Sequence, residues 1–275
     1  MKLKFIAIKD SIIKDYLFEC GVSKRLGRKI KLYGMIFVNG IEKRNWETLK
    51  KGDELVIFLP QKVNENIILN ENKIKILYED EYILIVDKEE NLAIQPSRKH
   101  LEDNLIARVL NYFKMKNTSS NCHVVTRLDY ATSGIVIIAK NAYVKSLLAK
   151  TDILKKYFAK VSKKLNQEVG KICLPIARDL TSSIKRKVDN DGKESITLYE
   201  FIKELENGYL YELTLVTGRT HQIRVHLAHL GSPIVGDELY LGEKADRLYL
   251  HSAYINFVHP ITKEEISINS GIVWK

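Results

Sequence analysis

Short apolar runs follow one another along residues 75–260, and they constrain the fold more than any other feature of the sequence. The runs that predict strands are KILYED, YILIVDK, HVVTRL, GIVIIAK, YFAKV, ITLYEFIKEL, YLYELTLVTG and YINFVHP. Helical patterns interrupt them at about 102–114, 141–151 and 221–230. Because strands outnumber helices and many connections are too short for a crossover helix, we expect an α+β fold with a mainly antiparallel sheet.

The first 60 residues predict a separate small module. Apolar side chains at helical spacing indicate two helices, one over residues 10–20 and a second one that Ser23 caps. Asn39 and Gly40 fit a two-residue hairpin turn between two short strands. The predicted organisation is therefore a helix–helix–hairpin module, a polar linker and a larger domain, with the boundaries 1–60, 61–74 and 75–275.

The positive charge is concentrated in two parts of the chain. The whole chain has a net charge of +10, and residues 1–60 contain 13 Lys/Arg against 7 Asp/Glu. Residues 140–164 contain eight lysines and one acidic residue, Asp152. Such clusters attract polyanions, and nucleic acid is the leading candidate, with a lysine-rich solvated surface as the alternative. The second helix would offer its outward cations to phosphates: Lys24, Arg25, Arg28, Lys29 and Lys31.

Several classes of protein receive no support from the sequence. No run approaches the roughly 20 apolar residues that span a bilayer, so we expect no membrane insertion. Three scattered cysteines favour neither a disulfide framework nor a thiolate zinc site, and they suit a cytoplasmic location. No glycine-rich phosphate loop is present, and the histidines at 221, 226 and 229 lack carboxylates at ligand spacing. We therefore expect neither cofactor nor metal, and interpret the histidines as polar core or RNA-facing residues.

The stretch RLDYATSG, residues 127–134, places charged side chains between two apolar runs. The turn-forming TSG at its end predicts that Arg127 and Asp129 lie at a strand end and in the following loop. The pattern leaves two interpretations open: a capping aspartate with a surface ion partner, or a carboxylate that acts as nucleophile or general base. Either catalytic role needs a nearby cation. Arg219 offers one, at the turn before a helix that we expect Thr220 to cap.

RLDYATSG resembles the RLDxxTSG motif of the RluA-type family of RNA pseudouridine synthases. KKYFAKV (155–161), TGRTHQIRVHLAHLGSPIVGDELY (217–240) and LHSAYINFVHP (250–260) are similar to further motifs of that family, in the same order. The module at 1–60 resembles an S4 RNA-binding domain. The resemblance implies a mixed, largely antiparallel sheet with a central cleft, preceded by a small S4-like α/β module. It also implies isomerisation of uridine to pseudouridine in RNA, without cofactor or metal.

The resemblance further implies a role for individual residues. Asp129 matches the catalytic aspartate, Arg219 the basic residue that pairs with it, and Tyr157 the tyrosine that stacks on the target base. Arg127 matches an arginine that helps to hold the RNA open. The expected partner is ribosomal RNA, or else transfer RNA, and we expect a monomer. Two other interpretations are a non-catalytic RNA-binding or ribosome-assembly factor on the same scaffold and, with less support, a DNA-binding module.

One stretch departs from the family pattern. DKEENLAIQP, residues 87–96, stands where the family usually has a sequence close to NKPAGLVVHP. Glu89, Asn91 and Gln95 thus replace Pro, Gly and His. We expect these changes at the shoulder of the cleft to affect the choice of substrate more than the activity.

Overall fold

The computed structural model describes residues 2–59, 67–118, 120–272 and 274. The chain forms a four-stranded sheet near its amino terminus and a ten-stranded sheet after it, with two further two-stranded ribbons. Within the described residues, no helix has the length and apolar character that crossing a bilayer requires.

The four-stranded sheet and two helices are built from residues 2–58. The elements are β1 (Lys2–Ile6), β2 (Ser11–Ile12), α1 (Ile13–Glu19), α2 (Lys24–Tyr33), β3 (Met35–Val38), β4 (Ile41–Glu42), β5 (Thr48–Leu49) and β6 (Glu54–Phe58). Strands β1, β6, β3 and β4 pair in this order, all antiparallel, and β2 pairs with β5.

Local sequence signals explain the ends of these elements. The Ser23 hydroxyl accepts a hydrogen bond from the Leu26 amide at 3.3 Å, which confirms the predicted cap of α2. Asn39 and Gly40 both have positive φ angles, 50° and 81°, and form the predicted turn between β3 and β4. The assignment of this unit to the S4 class stays a prediction. Of the predicted linker, residues 67–74 contain neither helix nor strand, and residues 61–66 lie outside the described residues.

The ten-stranded sheet forms the larger part of the molecule. Its central order is β12-β15-β16-β11-β17-β10-β8-β7, with β18 beside β17 and β9 beside β10. Its elements and the associated ribbon and helices are β7 (Lys75–Glu79), β8 (Ile83–Lys88), α3 (Leu105–Met115), β9 (His123–Val124), β10 (Ser133–Ala139), α4 (Ala142–Leu148), β11 (Leu154–Val161), β12 (Val169–Cys173), β13 (Ile176–Arg178), β14 (Arg186–Val188), β15 (Ile196–Leu205), β16 (Gly208–Leu215), α5 (Gln222–His229), β17 (Leu250–Val258) and β18 (Glu265–Asn269).

The strand directions confirm the expected fold class. The paired strands of the described residues run antiparallel except β10 and β17, which are parallel where Ser133 lies opposite His251. The sheet is therefore mixed and largely antiparallel. β10 is buried along its whole length, which explains why its sequence is a continuous apolar run rather than an alternating one.

Contacts at the first residues of β10 hold the preceding loop in position. Gly134 has a φ angle of 113°, and a Cβ atom at this position would lie 2.2 Å from the Ser252 carbonyl oxygen. Only glycine allows β10 and β17 to approach so closely. On the other side of the loop, the Thr126 hydroxyl accepts a hydrogen bond from the Ile137 amide at 2.8 Å. The Val125 amide also donates to the Ile137 carbonyl oxygen at 2.8 Å, so these bonds hold the chain beside β10 up to the residue before Arg127.

His251 of β17 is fully buried in the ten-stranded sheet. Its Nδ1 atom lies 2.8 Å from the Ser133 hydroxyl and its Nε2 atom 2.7 Å from the Ser270 hydroxyl. Burial lowers the pKa of His251 to about 4, although the charge of Asp87 acts in the opposite direction. The folded protein therefore holds this imidazole neutral at neutral pH.

We expect the free energy of unfolding to fall as the pH drops from about 6.5 to about 4, because unfolded His251 takes up a proton there and folded His251 does not. One such proton contributes at most about 1.4 kcal/mol per pH unit. Urea unfolding at about pH 7, 5.5 and 4.5 measures this slope. His251→Gln, whose amide can bond both serines, should show a shallower slope. Equal slopes for the two proteins would contradict the assignment.

Candidate active site

A cavity of about 340 Å³ opens beside the loop that joins β9 to β10, between β11 and the amino-terminal end of α5. Its walls contain all four residues that the sequence placed in a cleft: Arg127, Asp129, Tyr157 and Arg219. The structure thus brings together segments that are far apart in the sequence. The loop, a central strand and a helix start each supply part of one polar cavity.

Asp129 lies on the wall of this cavity with about a quarter of its side chain exposed. Its Oδ2 atom accepts a hydrogen bond from Nη1 of Arg224 at 3.1 Å. Nε2 of His221 lies 3.6 Å from the same oxygen. The loop closes on itself where the Thr132 amide donates to the Asp129 carbonyl oxygen at 3.2 Å. The carboxylate is therefore fixed in place and still faces the open cavity.

The expected pairing of Arg219 with Asp129 is wrong. The Arg219 side chain is exposed, and its Nε atom donates to the Glu194 carbonyl oxygen at 3.1 Å. Among the described residues, the guanidinium that bonds Asp129 belongs to Arg224. Arg219 lines the cavity and can meet a ligand there, but it does not hold the carboxylate.

The start of α5 explains this difference. The helix begins at Gln222, and the expected cap by Thr220 is also wrong, because His221 occupies the cap position without a side-chain cap bond. Instead, Oε1 of Gln222 accepts hydrogen bonds from the Arg219 amide and the Thr217 hydroxyl, both at 2.9 Å. Arg219 thus stays in the loop before the helix. Arg224 lies in the first turn, on a buried side of α5.

Arg224 joins two carboxylates. Its Nε and Nη2 atoms donate to both oxygens of Asp237 at 2.8 Å, and its Nη1 atom donates to Asp129. Arg224 is 8% exposed and Asp237 is 2% exposed. Burial opposes the charged form of the arginine, but the bonds to Asp237 and Asp129 outweigh it and raise its pKa. The site therefore contains a permanent, oriented cation.

His221 combines an unusual backbone with a contact to the site. Its φ and ψ angles of 58° and 19° are left-handed, which is uncommon for a residue other than glycine. Its Nδ1 atom lies 2.8 Å from the Tyr240 hydroxyl, while Nε2 faces Asp129. Burial lowers the pKa of His221, with the charge of Asp129 opposing the shift. Backbone strain of this kind persists where the surroundings hold it, and it clusters at functional sites.

Tyr157 lies in β11, between β16 and β17, and is 7% exposed. The pairing of β11 with β17 shifts register between Lys156 and Tyr157, so the tyrosine stands at an irregularity in the ladder. Burial raises its pKa to about 12, helped by the charge of Asp129 and opposed by a hydrogen bond to Ser252. Tyr157 is thus a neutral phenol at the wall of the cavity.

Lys88 supports the loop from inside the protein. This residue of β8 is 2% exposed, and its ammonium donates to the carbonyl oxygens of Glu89, Leu92 and Tyr130 at 2.8, 3.0 and 3.1 Å. Burial lowers the pKa of Lys88 to about 7, and the charge of Asp129 opposes this shift. Because Tyr130 follows Asp129 directly, Lys88 ties the loop to the sheet.

The remaining predicted residues lie at the rim or elsewhere. The Arg127 side chain is exposed at the edge of the cavity. The cations predicted to bind RNA lie outside the cavity, on the exposed face of α2: Lys24, Arg25, Arg28 and Lys29. Ion pairs among the described residues involve none of these five side chains.

Sequence reasoning missed Arg224 and Asp237 and gave His221 no role at Asp129. A signal for Arg224 was present, since an arginine between Ile223 and Val225 interrupts an apolar helix pattern. A charged residue at such a position is rarely buried unless it has a partner.

Comparison with known proteins places this site in a family. The family model described as RNA pseudouridylate synthase matches residues 82–229, more than half of the chain. The uncharacterized RNA pseudouridine synthase YjbO of Bacillus subtilis is 34% identical over 268 residues, covering 94% of this chain and 95% of the relative. The dual-specificity RNA pseudouridine synthase RluA of Vibrio cholerae is 38% identical over 198 residues, covering 68% of this chain and 78% of the relative.

Two further similarities agree with these. A ribosomal large subunit pseudouridine synthase D of Buchnera aphidicola is 30% identical, covering 86% of this chain and 82% of the relative. The solved structure of human RNA pseudouridylate synthase domain containing 1 shares the fold, with a TM-score of 0.61 and 23% identity over 73% of this chain and 84% of that chain.

These matches define an isomerase that converts uridine in RNA to pseudouridine. The chain belongs to the RluA-type family of RNA pseudouridine synthases. RNA is therefore its substrate, and the predicted family and enzyme class are confirmed.

We expect Arg224→Gln to lower the free energy of unfolding by about 3–5 kcal/mol, because it leaves the buried carboxylate of Asp237 without its charged partner. The matched change Arg219→Gln removes an exposed guanidinium and should stay within about 0.5 kcal/mol of wild type. Chemical unfolding of the two variants measures both effects. A large loss for Arg219→Gln, or none for Arg224→Gln, would show that the pairing described above is incorrect.

Proposed function

We propose that this enzyme isomerises particular uridines of structured RNA, with Asp129 as the catalytic carboxylate and the target base flipped into the cavity. The observation that carries the proposal is the Asp129 carboxylate, which faces an open cavity and is bonded at one oxygen by the permanent cation of Arg224. Such a held carboxylate can act as a nucleophile or as a general base.

Ribosomal RNA is the proposed substrate, and transfer RNA is the second candidate. The support comes from the names of relatives, which include a ribosomal large subunit pseudouridine synthase and a dual-specificity enzyme. The net charge of +10 agrees with a polyanionic substrate. We further propose that the enzyme acts as a monomer.

The size of the cavity favours an extruded nucleotide. A volume of about 340 Å³ falls at the lower end of the range for small-molecule sites. A base inside a helix cannot reach a carboxylate in such a cavity, so the nucleotide has to leave its stack at a cost of a few kcal/mol. Tyr157 lies at the wall of the cavity, where its ring can stack on the extruded base. Arg127 at the rim can fill the space that the base leaves in the RNA.

The proposed reaction breaks the bond between C1′ of the ribose and N1 of uracil and forms a bond between C1′ and C5. N1 gains a proton and C5 loses one, so the reaction balances without an added reactant. Asp129 can start it by attacking the sugar or the ring, or by removing a proton from the sugar. In each route, Arg224 keeps the carboxylate oriented toward the cavity, and Tyr157 is the nearby neutral group that can take part in transfer of the C5 proton.

The same scaffold without chemistry would be an RNA-binding or ribosome-assembly factor. A protein that only binds RNA has no use for a carboxylate facing phosphates, because the two negative charges repel each other. The membership of a family of synthases also favours the enzyme. A test of Asp129 distinguishes the two.

Asp129→Asn is nearly isosteric, and it removes the charge and the basicity of the carboxylate. We expect no detectable pseudouridine, with affinity for RNA unchanged or improved because a negative charge near the phosphates is gone. Release of the C5 hydrogen measures turnover, and filter binding measures affinity. Asp152→Asn, at an exposed position outside the cavity, is the control. Turnover of Asp129→Asn within about tenfold of wild type would contradict the catalytic assignment.

Tyr157→Phe keeps the ring and removes the hydroxyl. We expect RNA binding to remain, since the ring still stacks. Turnover at saturating RNA should fall by about 100-fold, the lower end of what one acid–base group contributes. Tyr199→Phe changes a buried tyrosine outside the cavity and should turn over like wild type. An unaltered rate for Tyr157→Phe would limit the role of this residue to stacking.

The cations of α2 are proposed to bind RNA phosphates and so to add affinity without chemistry. They are exposed, and the described carboxylates leave them unpaired, so nothing in the described protein competes for them. Each phosphate of a single-stranded RNA that such a cation neutralises releases a counterion. The fall of log affinity with log salt then becomes steeper by about 0.7.

A further inference from the structure

His221 and Tyr240 form a polar path beside the active site that the proposed reaction does not yet use. The Arg186 amide in β14 donates to the Tyr240 hydroxyl oxygen at 2.9 Å. The same hydroxyl lies 2.8 Å from Nδ1 of His221. On the other side of the ring, Nε2 of His221 lies 3.6 Å from Oδ2 of Asp129. The path thus leads from the backbone of a strand to the proposed catalytic carboxylate.

The donors and acceptors along this path determine where its hydrogen atoms lie. A backbone amide can only donate, so the Tyr240 oxygen accepts from Arg186. The Tyr240 hydroxyl has one hydrogen of its own, and because the residue is only 9% exposed, that hydrogen needs a partner inside the protein. Among the described residues, Nδ1 of His221 is the acceptor within its reach. A neutral imidazole that accepts at Nδ1 carries its hydrogen at Nε2.

The surroundings of His221 keep its imidazole neutral. Burial lowers the pKa of His221, and the positive charges of Arg224 and Arg186 act in the same direction. The negative charges of Asp129 and Asp237 oppose this shift without reversing it. The hydrogen-bond pattern agrees, because a charged imidazole would donate from Nδ1 to an oxygen that already accepts from a backbone amide.

Asp129 therefore has donor groups on two sides of one oxygen. Nη1 of Arg224 donates to Oδ2 at 3.1 Å, and Nε2 of His221 faces the same atom. The second distance, 3.6 Å, exceeds that of a normal hydrogen bond. Contacts at active sites are often long in the free enzyme and shorten when the substrate is bound. Because His221 lines the cavity, a bound nucleotide would exclude water from this contact.

We propose that His221 is a positioning residue, which donates from Nε2 to Oδ2 of Asp129 when RNA is bound, and that Tyr240 fixes the tautomer that this bond requires. The inference rests on the proposed function, since it takes Asp129 as the reacting carboxylate. With Arg224 and His221 both at Oδ2, the carboxylate cannot rotate freely, and Oδ1 is left for the nucleotide.

The same tautomer limits what His221 does in the reaction. Its Nδ1 lone pair accepts from Tyr240, and its Nε2 already carries a hydrogen, so the ring has no free site for a further proton. A proton that Asp129 removes from the substrate therefore stays on the carboxylate until it returns to the substrate. His221 acts on the orientation of Asp129 and not as a base.

A purely structural role for His221 would follow from its backbone. Its φ and ψ angles of 58° and 19° are left-handed, a conformation that asparagine adopts more readily than glutamine. The side chains of these two residues reach different positions. The amide nitrogen of glutamine extends to the place of Nε2, whereas that of the shorter asparagine extends only to the place of Nδ1. A role at Asp129 therefore favours glutamine as the replacement, and a role in the backbone favours asparagine.

The first test compares His221→Gln and His221→Asn in the full chain, on an unmodified ribosomal RNA transcript that wild type modifies. We expect turnover at saturating RNA to fall by about 10- to 100-fold in His221→Asn and by no more than about threefold in His221→Gln, the scale of a slightly misplaced reacting group. KM should stay as in wild type, because the contact is with the carboxylate. His229→Asn, at an exposed position of the same helix outside the cavity, is the matched control and should turn over like wild type.

The second test identifies the tautomer without measuring activity. The protein is labelled with ¹⁵N at histidine, and the His221 signals are those that disappear in His221→Gln. At about pH 7.5, above the ordinary pKa of histidine, we expect a hydrogen on Nε2 and an unprotonated, hydrogen-bonded Nδ1. Tyr240→Phe keeps the ring beside the Arg224 guanidinium and removes only the hydroxyl. The Nδ1 signal should then move, because its donor is gone.

A hydrogen on Nδ1 of His221 in wild type would overturn the proposal. Turnover of His221→Asn equal to or above that of His221→Gln would also overturn it, since the position would then serve the backbone. An unmoved Nδ1 signal in Tyr240→Phe would contradict the part assigned to Tyr240. Failure of the proposed function looks different, because Asp129→Asn would then remain active while the tautomer of His221 stayed as described.

Discussion

The bond of Arg224 to two carboxylates is the interaction on which the site depends. Asp237 accepts from two of its nitrogens and holds the guanidinium in one orientation. A third nitrogen remains for Asp129. Asp129 receives one hydrogen bond rather than a bidentate pair, and within the described residues its Oδ1 atom accepts none. A carboxylate with one oxygen anchored and one oxygen open is well placed to react, since orientation has already been fixed by the protein.

Three contacts hold the loop that carries Asp129, and each depends on one identifiable residue of the sequence. Gly134 lets the strand after the loop approach β17, and the Thr126 hydroxyl bonds the chain before the loop to β10. The Lys88 ammonium donates hydrogen bonds to the main chain of the loop at Tyr130 and to the Leu92 carbonyl oxygen. The chain just before Leu92 has a left-handed residue, Asn91, with a φ angle of 54°. Asparagine tolerates this conformation more readily than most residues, which suits its place where the family pattern has glycine.

Much of the architecture could be predicted because local signals and tertiary packing agree. Periodicity located the helices and strands, and the similarity to family motifs placed Asp129 and Tyr157 in one cleft. The partner of Asp129 could not be read in the same way. The position of Arg219 directly after a turn favoured it as the partner of Asp129. In the structure, α5 begins only at Gln222, whose side chain accepts a hydrogen bond from the Arg219 amide, and it is Arg224 that faces the loop. Its second partner, Asp237, lies on a different segment, and only the folded chain brings the two together.

Tyr143 of α4 is buried in the core of the amino-terminal unit, residues 2–58, and this has a consequence for biosynthesis. Strands and helices of that unit leave the ribosome first, but one of its core side chains is encoded far downstream, beyond β10. The unit cannot complete its packing until α4 has emerged, because Gly21 packs against Leu147 of that helix. Proteins usually fold domain by domain from the amino terminus during synthesis. In this chain, the first unit reaches its final packing only with help from the second.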